Sequence, residues 1–319
     1  MKRYVVTGGA GFIGSTLVRS LLAQEKGEVL VIDNLLTGQA RNLEEVQCQI
    51  KFHNVDVRDA EAISPLVKGA DVVFHLAAIP SVPRSIQDPV PSHSVNIDGT
   101  FNVLRAAAEG GVRRLVYAAS SSAYGDTAIL PKVETMTPCP KSPYAVQKLA
   151  GEYYAAIFSS CFGLEAVALR FFNVYGPRQD PSSAYSGVIS LFMKHLLART
   201  APTIFGDGEQ SRDFTYVEDV VDLCLRASRS SSVAGKMYNG GNGARYTLNN
   251  IWELLQKIEH VRISPRYGPP RQGDVRHSMA DTRGAVADLG HSPRFTIEEG
   301  LTRTLEWYRA TNGGTTAVP

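Results

Sequence analysis

Tyr4-Val5-Val6-Thr7-Gly8-Gly9-Ala10-Gly11-Phe12-Ile13-Gly14 opens the chain with a short apolar strand that runs into a glycine-rich turn, and a helix-like run from Ser15 to Leu22 follows. Small residues at such a turn let a backbone approach a pyrophosphate, and the helix N-terminus behind it supplies oriented N–H groups and a favourable dipole. The spacing is Gly-x-x-Gly-x-x-Gly instead of the commoner Gly-x-Gly-x-x-Gly, so the generic dinucleotide fingerprint fits loosely. A tight turn whose glycines serve only positive φ is the plain alternative. The next strand weighs against it. Val29-Leu30-Val31-Ile32 ends in Asp33, about twenty residues past the loop, where a carboxylate can hold an adenosine ribose. A carboxylate there repels a 2′-phosphate, and Asn34 stands where an arginine would be wanted for one. NAD is the expected cofactor.

Working outward, strands and helices go on alternating. Ile50-Lys51-Phe52-His53 is followed by Asp56-Val57, and Val72-Val73-Phe74-His75-Leu76 by Ala77-Ala78. A helical stretch from Asn96 to Ala108 leads to Arg114-Leu115-Val116-Tyr117-Ala118-Ala119, and Ala166 to Phe171 is another strand. Short apolar strands separated by helical segments predict an α/β fold with a Rossmann-type, doubly wound parallel sheet. Ligands then sit beyond the carboxyl ends of the strands. From Asn173 to Asp213 the chain changes to Gly, Pro and polar residues between short helices, and a polar-rich region follows Asn239. The tail from Gly313 is expected to fray.

Composition narrows the function. The 319 residues suffice for one large core and a smaller appended unit. A formal net charge of +2 with no long basic run argues against a dedicated nucleic-acid binder. Cys48, Cys139, Cys161 and Cys224 are far apart, so free thiols in a reducing, cytoplasmic setting are expected. The seven histidines show no metal-ligand spacing, and no metal is expected. Met1-Lys2-Arg3 leads straight into a strand, which leaves no room for a signal peptide, and no apolar stretch matches a bilayer span.

The chemistry is carried by Ser142-Pro143-Tyr144-Ala145-Val146-Gln147-Lys148. Ser142 is a suitable N-cap and Pro143 suits the first helical position, so a helix should start here. Tyr144 and Lys148, four residues apart, leave the same face of it. A phenol ionises near ~10, too high for a base at neutral pH. A nearby ammonium favours the phenolate, which would make a base for an alcohol proton. Such a pair also arises from ordinary amphipathic spacing, so its weight comes from what surrounds it.

Thr7 to Gly14, Asp33-Asn34, Asp56-Val57, His75 to Ala78, Val95-Asn96-Ile97-Asp98-Gly99-Thr100, Ser120-Ser121-Ser122-Ala123-Tyr124-Gly125, the Tyr144/Lys148 pair and Phe171-Phe172-Asn173-Val174-Tyr175-Gly176-Pro177-Arg178 occur in order. Together, and over nearly the whole chain through Leu305, they resemble an extended short-chain dehydrogenase/reductase of the nucleotide-sugar epimerase and dehydratase group. The resemblance implies that Gly8, Gly11, Phe12 and Ile13 lie along the NAD pyrophosphate. Asp33 and Asn34, with Gly38 beside them, would hold the adenosine ribose; Asp56 and Val57 would flank the adenine. Leu76, Ala77 and Ala78 would lie beside the cofactor, with Asn96 near the active-site floor. Tyr144 is the implied acid/base, Lys148 binds the nicotinamide ribose and tunes it, and Ser120 hydrogen-bonds the reacting hydroxyl or ketone. The implied organisation is an NAD-binding domain over 1–172 to which 214–243 returns. A smaller α+β domain for the UDP-sugar would span 173–213 and 244–310, with 311–319 as the tail.

Within that group the chemistry separates subfamilies. The 4,6-dehydratases carry an acidic pair at the serine strand, and Ser120-Ser121-Ser122 contains no carboxylate to protonate a leaving group. Reversible oxidation at C4 remains. In the second half the resemblance places Asn173, Gly187, Val188 and Phe205 against the nucleotide sugar, and Arg212 and Arg271 on its diphosphate, where guanidinium forks suit phosphate oxygens. Asp274 would contact a ribose. Ser278 stands where epimerases limited to unacetylated hexoses place a tyrosine. With Ser81, Ser122 and Gly187 as further small wall positions, the pattern is most similar to bacterial UDP-N-acetylglucosamine 4-epimerases. Ile79-Pro80 before Ser81 departs from it, since those enzymes tend to carry glycine there, and proline stiffens that wall. Asn173 and Asp180 argue against UDP-glucuronate epimerases. A dehydratase stays open, as does a non-catalytic NAD-binding sensor, which would be expected to lose Tyr144, Lys148 or Ser120. The group commonly forms homodimers through the helices of Tyr144 and of Asn96–Ala108. Val146, Leu149, Tyr153 and Ile157 could serve that contact or the core.

Overall fold

A computed structural model of the chain describes residues 1–180, 187–270 and 275–312. In chain order the first half contains β1 (Lys2–Thr7), α1 (Phe12–Gln24), β2 (Gly27–Ile32), β3 (Lys51–His53), α2 (Ala60–Val67) and β4 (Val72–His75). Then come α3 (Val82–Gln87), α4 (Pro89–His93), a π-helical turn over Ser94–Gly99, α5 (Thr100–Glu109), β5 (Arg114–Ser120), α6 (Pro143–Phe162) and β6 (Glu165–Phe171). The second half contains β7 (Val174–Tyr175), α7 (Val188–Leu197), β8 (Thr203–Phe205), β9 (Ser211–Arg212), β10 (Thr215–Tyr216) and α8 (Val217–Arg229). It ends with β11 (Met237–Gly240), β12 (Tyr246–Thr247), α9 (Leu248–Glu259), β13 (Arg266–Gly268), α10 (Arg283–Leu289) and α11 (Ile297–Asn312).

The main sheet has seven strands in the order β11-β6-β5-β4-β1-β2-β3, and every neighbouring pair in it is parallel. Strands covered on both faces must be apolar throughout, and Val5, Val6, Val73 and Phe74 are each fully buried. One face packs on α1 and α8 through Leu17, Leu21, Val221 and Leu225. The other packs on α2, α5 and α6 through Ile63, Val103, Leu104 and Phe158. Strand order reverses between β1 and β4, and the crevice outside their carboxyl ends is where such sheets bind ligands.

The second half has its own core, where Phe192, Trp252, Leu301 and Leu305 join α7, α9 and α11. Its strands are two or three residues long and pair far along the chain: β10 with β7, β12 with β9 and β13 with β8. Asp213 ties this half to the main sheet, because its fully buried carboxylate accepts from the backbone N–H groups of Asn242 (2.7 Å), Gly243 (2.9 Å) and Ala280 (3.0 Å). A second tie joins the loop after β2 to the turn after β7, where Gln39 Nε2 donates to Asp180 Oδ2 at 2.7 Å. Among the described residues no helix is long and apolar enough to cross a membrane.

Candidate active site

The glycine-rich turn folds as a cradle. Gly8 has φ +73°, and a Cβ there would stand 2.6 Å from the Ala77 backbone nitrogen; the turn and the strand β4 exit therefore touch backbone to backbone. Gly14 is pressed as closely, since its Cβ would meet Gly8 O at 2.1 Å. Helix α1 starts at Phe12, not at Ser15. Its N-cap is Gly11, with no side-chain cap and no acidic residue in the first turn. Its leading N–H groups are left for an anion, as a pyrophosphate requires.

Asp33, at the end of β2, is 6% exposed and accepts from Ala10 N (2.9 Å) and Leu35 N (2.8 Å). Burial pushes its carboxyl up, against those two bonds, and lone pairs remain for a ribose diol. Gly38 must lack a side chain because a Cβ would reach Asp33 Oδ2 at 2.8 Å. Asn34 Nδ2 donates to Asp56 Oδ2 (2.7 Å), and Arg58 forks the same carboxylate at 3.0 and 2.7 Å. That fork holds Asp56 down at about 2 and occupies the nearby cation. Val57 is buried against Gly99, while Leu76, Ala77 and Ala78 remain partly open at the β4 exit. Uncapped helix, glycine cradle and carboxylate together fit an NAD. Asn96, expected near the active-site floor, is buried. Both of its N–H groups are spent inside the protein, on Ile79 O (3.2 Å) and Gln147 Oε1 (2.9 Å).

The catalytic candidates meet at the carboxyl end of β5. Helix α6 begins as the sequence demands, with Ser142 accepting from Ala145 N, Pro143 in the first turn and Gly163 closing it in the left-handed conformation. Lys148 is 4% exposed, donates to Ala118 O at 2.7 Å and lies 5.0 Å above the Tyr117 ring. Burial pulls its ammonium down to about 7. Tyr144 is half-buried. Burial raises its phenol above the ordinary value, and a hydrogen bond with Ser120 opposes the rise. The net direction for the phenol in the protein by itself is upward, with Ser120 as the group that opposes it. Ser120 and Ser122 share a hydrogen bond of 2.7 Å between hydroxyls. Beneath them Tyr124 donates to Asn239 Oδ1 (2.7 Å), and Arg170, which covers its ring at 4.4 Å, is forked by Glu152.

On the substrate side, Asn173 is exposed two residues beyond Phe171, the register partner of Ser120. Its carbonyl accepts from Thr215 N at 3.2 Å. Arg212 lies in β9, with Nη1 on the carbonyls of Ser211 and Arg276. The Ser211–His277 bridge brings Ser278, 9% exposed, beside it. Burial, with the guanidiniums of Arg245, Arg276 and Arg212, depresses His277 against the carboxylate of Asp126, and Arg276 is itself forked by Asp207 at 2.9 and 2.8 Å. Gly187 is the N-cap of α7 without a side-chain cap, and Val188 begins the helix. Phe205 ends β8 and Ser81 caps α3 through Arg84 N (3.1 Å). Arg271 and Asp274 lie outside the described residues.

Gln147, Ser85 and Asp213 went unread in the sequence. A polar residue between Tyr144 and Lys148 on a face that otherwise faces the core was the available signal for the first. The other two act through backbone groups of distant segments, which leave no spacing to detect.

The family described as NAD dependent epimerase/dehydratase matches residues 4–241. A UDP-glucose 4-epimerase of Mycolicibacterium smegmatis is 39% identical over 96% of this chain and 98% of that protein. Among solved structures, a UDP-glucose 4-epimerase of Thermotoga maritima with UDP-glucose superimposes with a TM-score of 0.92 at 37% identity, covering 97% of this chain and 99% of the other. A UDP-N-acetylglucosamine 4-epimerase of Methanobrevibacter ruminantium in complex with UDP-N-acetylmuramic acid gives 0.93 at 36%, with the same coverage. The cradle around Gly8, the Tyr144/Lys148 pair at the start of α6 and these likenesses agree, and the chain belongs to the NAD-dependent epimerase/dehydratase family.

Proposed function

We propose that this enzyme interconverts the C4 epimers of a UDP-hexose, favouring UDP-N-acetylglucosamine and UDP-N-acetylgalactosamine and accepting UDP-glucose and UDP-galactose. The observation that carries the reading is the Ser120–Ser122 hydroxyl pair set against Tyr144 with no carboxylate in that stretch. Oxidation at C4 has its groups there, and elimination lacks an acid. NAD, when bound, supplies a reversible hydride acceptor. Tyr144 in its phenolate form takes the 4-hydroxyl proton and becomes the neutral phenol, and Ser120 holds the oxygen that becomes the 4-ketone. Lys148, anchored on Ala118 O, stands ready for a ribose hydroxyl and, as the ammonium, favours the phenolate form that Tyr144 needs as a base. The 4-keto sugar turns over and the same Tyr144 proton returns. Arg212, with Arg271, is to grip the diphosphate while the hexose stays loosely held.

The preference for acetylated sugars rests on the small side chains of Ser81, Ser122, Gly187 and Ser278. Purified protein incubated with UDP-N-acetylglucosamine, UDP-glucose and UDP-glucuronate, with the products separated, is expected to give the acetylated and plain 4-epimers and no epimer of the uronate. Tyr144→Phe should lose about 10²–10⁴-fold in turnover. Ordinary turnover by that variant sinks the mechanism. The working unit is read as a homodimer through α5 and α6, since Val146, Tyr153 and Ile157 are 50%, 56% and 51% exposed while Leu149 is buried in the core.

A further inference from the structure

Between the sugar wall Ile79-Pro80-Ser81 and the catalytic helix lies the segment α3–α4–Ser94–Gly99, and α6 clasps it at three points. Tyr144 N donates to the fully buried Ser85 Oγ at 3.1 Å. Gln147 Nε2 donates to Ser92 Oγ at 3.0 Å. Gln147 Oε1 accepts from Asn96 Nδ2 at 2.9 Å. Asn96 in turn holds both backbone groups of Ile79, accepting from its N–H at 2.8 Å and donating to its carbonyl at 3.2 Å. Gln147, three residues after Tyr144 and one before Lys148, is 2% exposed. A buried carboxamide satisfied at both ends fixes its partners, because each bond lost leaves a desolvated polar group unpaired. The π-helical turn that carries Asn96 is a form that recurs at functional sites.

We propose that Gln147 is a positioning residue that, through Asn96, fixes the Ile79–Ser81 wall relative to Tyr144 and so sets where the hexose meets the acid/base. The inference rests on the reading of the site given above. Tyr144 and the wall are held by one side-chain chain, so a shift of the wall becomes a shift of the sugar against the phenol oxygen. Pro80 stiffens the same wall from the backbone. The wall's place is thereby decided by α6, not by loop flexibility.

The test compares NAD-loaded wild type with Gln147→Met, which keeps the volume and removes both bonds, and with Gln147→Glu, which keeps the acceptor for Asn96. Gln147→Met is expected to lose about tenfold in kcat per folded, NAD-loaded site, since small misplacements at a reacting centre are costly. Its ratio of kcat/KM between UDP-N-acetylglucosamine and UDP-glucose should change, while the inhibition constant of UDP, which lacks the hexose, should not. Amide hydrogen exchange over 79–93 should quicken in Gln147→Met and return toward wild type in Gln147→Glu. Wild-type kcat, substrate ratio and exchange in Gln147→Met overturn the proposal; so does a loss of activity accounted for wholly by a smaller folded fraction. If Gln147→Met does not fold, Ser92→Ala, which removes one partner of the amide, is read by the same criteria. Failure of the wild type to turn over any UDP-hexose would sink the functional reading alone, because the exchange comparison needs no substrate and decides the coupling by itself.

Discussion

Burial brings the neutral amine of Lys148 within reach of neutral pH. Its folded value of about 7 lies below that of an exposed lysine, so between these values the unfolded chain binds a proton that the folded chain does not. Stability then rises with pH across that window, by at most about 1.4 kcal/mol per pH unit from this group. Below it the penalty is fully present. Denaturant titrations of cofactor-free protein should show Lys148→Met more stable than wild type at pH 7, with the advantage shrinking toward pH 10. A constant difference would count against a buried, depressed lysine. Ser278 makes the second prediction at this scale. Ser278→Tyr fills a buried wall position and should lower turnover of the acetylated substrate at least about tenfold more than that of UDP-glucose, the range a lost pocket contact commands. Undiminished activity on both would end the argument from small side chains. Tyr144, Lys148 and Ser120 were legible because each sits in a short motif. Their protonation was not, since the depth of burial at Lys148 depends on Ala118 and Tyr117, which only the packed strand brings near.

Elements were read from their ends. Ser142-Pro143 and Gly163 bound α6 as capping chemistry requires, whereas α1 starts earlier than its apolar run suggested, because Phe12 and Ile13 already belong to its first turn. The helix expected from Asn96 begins instead as a π-helical turn before α5. Nothing local marks that widening, which is held by the bonds Asn96 makes to Ile79 and Gln147. The glycine turn gives the prediction here. Gly8→Ala places a methyl on backbone atoms that cannot step aside and strains a left-handed residue, which costs about 1–3 kcal/mol. Protein purified from that variant should carry little NAD when its nucleotide is released and quantified. Full occupancy would show that the turn relaxes without losing the cradle.

For the whole molecule, the parallel sheet and its switch point followed from apolar strands alternating with helices. The second half did not follow in the same way. Two- and three-residue strands carry no period, and their partners are set by α7, α9 and α11 closing on Trp252. On the proposed dimer, charge placed on the outer face of α6, as Val146→Asp with Ile157→Asp, should leave the chain folded and give a monomer in sedimentation, where the wild type is expected to give a dimer. Unchanged sedimentation would remove that face from the assembly.

The bond from Gln39 to Asp180 has a thermodynamic side. It spans the loop that follows Asp33 and the turn that follows β7, so ordering either end assists the other. Two ligands that share such a span are bound by a reciprocal law: whatever factor the dinucleotide adds to the affinity for a UDP-sugar, the UDP-sugar must add to the affinity for the dinucleotide. Titrating each ligand with and without the other, in wild type and in Gln39→Leu, would return that factor twice over, and the variant should bring both readings toward one.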